Sequence, residues 1–246
     1  MIPLQDILPR RKPPVITYLL ILINVLVFFY EVSLSQTERM MFFKQWGFVP
    51  SKFFDPYFAV LTGEPFYQKY LSVITHLFIH GSWLHLIGNM WTLWIFGDNV
   101  EDRLGPIKFL FFYLVCGILA SFCHALIYKD SVIPVVGASG AISAVMGAYL
   151  IMYPLARIIV LVPILFIPFI FEIYAFFYLI YWFFIQFFSG LFSLVTPHSI
   201  SGIAWFAHIG GFVIGALAIK LLCRKGCKFY QDEYNILGVI VSHNKK

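Results

Sequence analysis

Three short stretches carry residue types that can perform acyl-transfer chemistry inside an otherwise apolar chain: HGSWLHLIGN at 80–89, VGASGA at 136–141 and AWFAHIGG at 204–211. A serine hydroxyl is a weak nucleophile until a neighbouring base takes its proton, and histidine, titrating near neutrality, is the usual base. Ser139 is therefore the candidate nucleophile and His208 its candidate base. A carbonyl attacked by the serine becomes an oxyanion that needs donors fixed in advance, and losing one such donor typically costs about 2.7–4 kcal/mol of barrier. His85 and Asn89 lie four residues apart and share one helical face, so together with the Ser139 backbone N–H they are the candidate oxyanion donors. His80, Gly137 and Gly140 are candidate supporting residues. None of the three stretches contains Asp or Glu, so the expectation is a dyad without a third member.

The elements that hold these residues follow from composition. Of 246 residues, 61% are hydrophobic, 20% aromatic and only 12% charged, against about a quarter charged in soluble domains. Charge-free runs at 13–30, 70–97, 109–128, 131–156 and 173–219 are each long enough to cross hydrocarbon, and the last is long enough to cross twice; a span needs about 20 residues. The expected fold is an all-α polytopic membrane protein, a six-transmembrane-helix bundle with spans near 14–33, 83–97, 107–128, 139–153, 167–189 and 202–222. It divides into an N-terminal segment 1–13, a membrane domain 14–222 and a basic tail 223–246. The apolar stretch of the first span is too long for an ordinary signal-peptide core, and no small-residue cleavage site follows it.

Six spans put both termini on one side. A cytoplasmic placement leaves 12 of the 17 Lys and Arg inside, satisfying the positive-inside rule. The net charge of +5 is thereby explained without a nucleic-acid partner. Spans two, four and six then run in the same direction, so their early turns share a depth near the outer leaflet. His208 falls roughly 9 Å below the start of its helix at ~1.5 Å per residue. Ala204, His208, Gly211 and Gly215 share one face of span six; Gly140, Ala144, Gly147 and Ala148 offer small residues on span four. Such surfaces let two backbones approach closely, which would bring Ser139 within reach of His208. The long connection 34–82, rich in aromatic residues, reads as a partly buried segment at the outer interface.

In these motifs the chain resembles the rhomboid family of intramembrane serine proteases: G-x-S-G at 137–140, A-H-x-G-G at 207–211 with Gly215 following, and His80, His85 and Asn89 in H-x4-H-x3-N spacing. The segments 96–105 and 140–149 add to the likeness, which covers about residues 40–220. The resemblance implies a six-helix fold, Ser139 as nucleophile, His208 as base, and His85, Asn89 and the Ser139 amide as oxyanion hole. It also implies single-span membrane proteins as substrates, with small residues at the scissile bond, and span five and the loop 190–201 as gate and cap. Two departures stand out. The Trp-Arg pair that many members carry in the first loop is Leu71-Ser72 here, and the aromatic ring that some members stack beneath the histidine is replaced by Ser143.

Structural alternatives accompany each assignment. Ser139 could be only a small packing residue, His208 a core histidine, and His85 with Asn89 polar glue between helices. His76 and His80 read as ordering the loop before span two, and His124 as a packing residue. No carboxylate or cysteine completes a metal site with the histidines; no cofactor is implied. The leading function is intramembrane endopeptidase, in the lipid bilayer of a bacterial inner membrane. The alternative is a catalytically silent rhomboid-like protein that binds membrane segments.

Overall fold

The computed structural model of the chain describes residues 1–55, 57, 65–195 and 203–223. Strand β1 (Ile2–Asp6) leads into helix α1 (Val15–Ser33), with Pro13 and Pro14 immediately before its first turn, where a missing N–H costs little. The free amides of that turn are satisfied from another element. Ile16 N and Thr17 N donate to the Glu101 carboxylate at 2.9 and 2.7 Å, and the Thr17 hydroxyl adds a third bond at 2.8 Å. A buried carboxylate thus caps the helix at its positive end.

Helix α2 (Gln36–Trp46) opens with a capping box between Ser35 and Glu38. Helices α3 (Pro50–Phe54) and α4 (Gln68–Thr75) and a 3-10 turn at His76–Phe78 are the further elements of the long first connection among the described residues. Leu71-Ser72 leave this segment to be held by other bonds: the Thr75 hydroxyl donates to Trp46 O at 2.7 Å, and Gln68 Nε2 to Gln45 O at 3.2 Å. Helix α5 (Trp83–Leu104) follows at 76° to α4 and its turn. Gly105, at φ +78°, makes the sharp turn into α6 (Pro106–Ile127). Then come α7 (Ser139–Met152), strands β2 (Arg157–Ile164) and β3 (Ile167–Tyr174), α8 (Ala175–Val195) and α9 (Trp205–Leu222).

Helix α7 is the centre of the bundle. Every residue from Gly140 to Tyr149 is buried, so its neighbours α5, α6 and α9, rather than lipid, surround it. The contact with α9 is backbone on backbone: a Cβ on Gly215 would land on Ala144 O, one on Gly211 on Gly140 O, and one on Gly147 on Phe212 O. Without small residues on both faces the helices could not approach this closely.

The architecture is a helical membrane bundle, with two differences from the expected spans. Among the described residues, helices α1, α6, α8 and α9 are long and apolar enough to cross a bilayer, and α5 with its bent partner adds a fifth when the pair is taken as one span. The 14 residues of α7 extend about 21 Å, less than the roughly 30 Å of hydrocarbon, so this helix fills the bundle without having to span lipid. Residues 167–174, expected at the start of span five, are strand β3, and the helix begins only at Ala175. The segment instead pairs along its whole length with β2, from Ile164↔Ile167 to Arg157↔Tyr174, so its backbone groups are bonded across the ladder rather than within a helix. β1, β2 and β3 form a three-stranded antiparallel sheet in that order, so the N-terminal segment is built into the fold. Cys116 and Cys123 are free thiols, and Cys223 is disulfide-bonded. The loop residues 196–202, His198 among them, and the tail from 224 onward lie outside the described residues.

Candidate active site

Three helix starts converge on the candidate residues. His85 is in the first turn of α5, Ser139 opens α7, and His208 is in the first turn of α9. Close packing of α7 on α9 brings Ser139 Oγ to 2.8 Å from His208 Nε2. Both side chains are partly exposed, as is His85, whereas Gly137 and Ala138 are buried. The chain reaches Ser139 through Gly137 at φ +121°, a conformation that side chains other than glycine's rarely adopt. Gly137 N donates to His76 O at 2.9 Å, which pins this turn to the segment before α5.

His85 and Asn89 close the other side. A Cβ on Gly137 would lie 2.6 Å from His85 Nε2 and 3.6 Å from Asn89 Nδ2, so both nitrogens border the backbone two residues before Ser139. Asn89 Nδ2 donates to His80 Nε2 at 3.0 Å, leaving its second N–H uncommitted by that bond. His80 is buried, its ring lies edge-on to His85 at 5.0 Å, and its backbone N–H donates to the Glu31 carboxylate at 3.2 Å. His76 takes a structural position: Nδ1 pairs with Ser72 O at 2.9 Å and Nε2 with Ser121 Oγ at 2.6 Å. His124 lies against Tyr128, the two rings tilted by 43° with centroids 4.9 Å apart. Among the described residues no three His, Cys, Asp or Glu side chains come together as a metal cluster.

Two sets of contributors lie outside the sequence reasoning, the groups around the His208 ring and Glu31. Gln186, on α8, places Oε1 2.9 Å from His208 Nδ1. Its own Nε2 donates to Trp182 O at 3.4 Å, which orients the amide with the oxygen toward the histidine. The rings of Trp182 and Trp205 both lie 6.1 Å from that of His208. These three residues supply the orientation that Ser143 cannot: its hydroxyl donates to Ser139 O at 2.7 Å. Glu31 is the second, a buried carboxylate of α1 that fixes the His80 backbone. Glutamine in an aromatic helix gave no motif, and Glu31 sits at the end of a run selected for lacking charge.

Chemically, a histidine whose Nδ1–H is held by an acceptor presents a lone pair at Nε2 and can take a proton from a hydroxyl 2.8 Å away. The side-chain nitrogens of His85 and Asn89 border Gly137, close to the free amides of the first turn of α7, and N–H donors so placed are of the type that can bind an oxyanion.

The chain belongs to the rhomboid family: a Rhomboid domain model matches residues 67–225, more than half of its length. It is 30% identical over 157 residues to Rhomboid protein 1, mitochondrial, of Saccharomyces cerevisiae, covering 62% of this chain and 41% of that one. It is 33% identical over 99 residues to Presenilin-associated rhomboid-like protein A, mitochondrial, of Danio rerio, covering 39% and 26%. RHOMBOID-like protein 6, mitochondrial, of Arabidopsis thaliana is 38% identical over 78 residues, covering 32% and 25%. The matches therefore span about two fifths of the curated relatives' length or less. A rhomboid domain with these spans is embedded in a lipid bilayer.

The relatives overturn one expectation. All three are mitochondrial proteins, so the assignment to a bacterial inner membrane with cytoplasmic termini is corrected. The Lys/Arg asymmetry reports how the chain is oriented across a membrane and is silent on which membrane that is.

Proposed function

We propose that the protein is an intramembrane serine endopeptidase of a mitochondrial membrane, cleaving single-span membrane proteins through Ser139 and His208. The observation that carries this reading is the 2.8 Å contact between Ser139 Oγ and His208 Nε2 at the meeting point of three helix N-termini. Ser139 Oγ attacks the scissile carbonyl carbon while His208 Nε2 takes its proton. The carbonyl oxygen, now negative, accepts from the Ser139 N–H, from His85 Nε2–H and from the second N–H of Asn89. The positive ends of α5, α7 and α9 favour the same developing charge. His208 then returns the proton to the leaving amine, and a water deprotonated by His208 releases the acyl group. Gly137 and Gly140 support this geometry by allowing the turn and the close helix contact, and His80 supports it by holding Asn89.

A serine-directed fluorophosphonate tests the nucleophile apart from any choice of substrate. The expected result is one adduct, at Ser139, that disappears in Ser139→Ala and falls sharply in His208→Ala. A fold-competent protein that forms no adduct at Ser139 would instead support the alternative, a rhomboid-like protein that binds membrane segments without cutting them.

A further inference from the structure

The β2–β3 hairpin leaves the bundle between α7 and α8, at the end of α7 opposite Ser139, and the site makes no use of it. β1 covers only its base, pairing Asp6 with Ile158 and Ile2 with Leu161. Beyond Leu161 the hairpin has no strand beside it among the described residues. No charged residue occurs between Ile158 and Phe171. The two turn residues are Leu165 and Phe166, at φ +47° and +70°, 86% and 102% exposed. A two-residue turn with both φ values positive is most easily made by Asn-Gly; this one instead holds two bulky apolar side chains and presents them outward. Behind the tip, Ile167, Phe169, Ile170 and Phe171 are also exposed. An apolar projection of this extent marks an interaction surface.

We infer that the hairpin tip is a lipid anchor, inserted at the headgroup–acyl boundary of the leaflet on the Met152 side of the bundle. Continuity with the lipid-facing surface identifies the occupant. β3 runs directly into α8, with Ala175 N and Phe176 N bonded to Ala156 O and Pro154 O at 2.7 and 2.9 Å. The exposed Phe177, Phe184 and Phe188 of α8 extend the same apolar surface along a span. The polar limit of the anchor is the Arg157–Glu172 ion pair at the hairpin base, 3.0 Å long. Depth follows from the backbone: the open edge of β3 has unpaired amide and carbonyl groups that need water, which keeps the hairpin out of the hydrocarbon centre. Pairing with a second copy is disfavoured by Pro163 and Pro168, which face each other across the ladder. Neither has an N–H, so their pair is one that exchanges no inter-strand bonds. The donors they lack are the outward ones a new strand would need.

The test uses the full chain in phosphatidylcholine vesicles, with Phe166 replaced by the photoreactive benzoylphenylalanine, and reads adducts by mass spectrometry. The same replacement at Phe184, 49% exposed on α8, is the positive control. Since Phe166 is fully exposed, the replacement removes no packing, and a monodisperse elution profile matching the parent's verifies the fold. Phospholipid adducts are expected at both positions, and adding Leu165→Asp should reduce the yield at 166 several-fold while leaving that at 184 unchanged. Lipid adducts at 184 alone, or a cross-linked dimer in place of lipid at 166, would overturn the inference. The readout involves no cleavage, so its result is independent of the peptidase reading.

Discussion

Gln186 Oε1 and His208 Nδ1 are 2.9 Å apart, joining α8 to α9 at the histidine that contacts Ser139. The amide oxygen accepts, so the ring proton stays on Nδ1 and the Nε2 lone pair faces the serine. This is the orienting role that a carboxylate performs in a hydrolytic triad, here with a neutral acceptor. A neutral hydrogen bond contributes about 0.5–1.5 kcal/mol. Gln186→Leu should therefore lower kcat/KM by about 2- to 12-fold, mainly through kcat, and Gln186→Glu, which keeps an acceptor, should recover much of the loss. Equal defects in both variants would reduce Gln186 to a packing residue.

Gly137 has no room for a side chain. With φ at +121° and the Cβ position 2.6 Å from His85 Nε2, Gly137→Ala must move either the turn or the histidine. Overpacking of this kind costs about 1–3 kcal/mol. Thermal unfolding in detergent should show lower stability, and cleavage should fall further than stability alone accounts for, because the displaced group is a proposed oxyanion donor. Wild-type turnover in the variant would remove His85 from that role.

The glycines of α9 separate packing from propensity. Gly215→Ala sets a methyl against Ala144 O, whereas Gly88, on α5, has nothing within 4 Å of its Cβ position. Gly215→Ala should destabilise the bundle and weaken cleavage together, because parting α7 from α9 parts Ser139 from His208. Gly88→Ala should leave both unchanged or gain slightly from helix propensity. Unfolding midpoints of the two variants in the same detergent decide the matter.

Asp6 gives the fold a pH dependence far from the site. Burial, with a smaller contribution from the nearby Asp98, pushes its pKa from 3.8 up to about 7, against the lowering effect of the Tyr149 hydroxyl bond. Between about pH 4 and 7 the folded chain thus retains a proton that the unfolded chain has released. The Asp6 contribution to stability is therefore fully present below this window and is lost as pH rises through it. Unfolding midpoints should fall from pH 5 to pH 8. Asp6→Asn keeps an acceptor for Tyr149 and Asn99, which both donate to Asp6 at 2.7 Å, and should flatten the dependence. An undiminished pH slope in Asp6→Asn would assign the effect elsewhere.

The helices that bring Ser139, His208, His85 and Asn89 together were legible because polar groups are rare in apolar runs and small residues mark close helix contacts. Gln186 was not, since its partner His208 lies 22 residues away and no local spacing links them. The β2–β3 hairpin was hidden by its own composition: Leu165 and Phe166 make a turn without the Gly or Asn that normally signals one, inside a run as apolar as a span. β1 gave even less, because its order depends on pairing with β2 more than 150 residues later. Glu101 and Glu31 carry no local motif for their roles, yet each is buried and caps or pins a neighbouring element.

The central claim is tested most directly by incubating the wild type, Ser139→Ala and His208→Ala with a single-span membrane protein in liposomes and following the cleaved fragments. Cleavage by the wild type, with loss in both variants while each still binds the substrate, is the predicted result. Cleavage that survives in Ser139→Ala would contradict it.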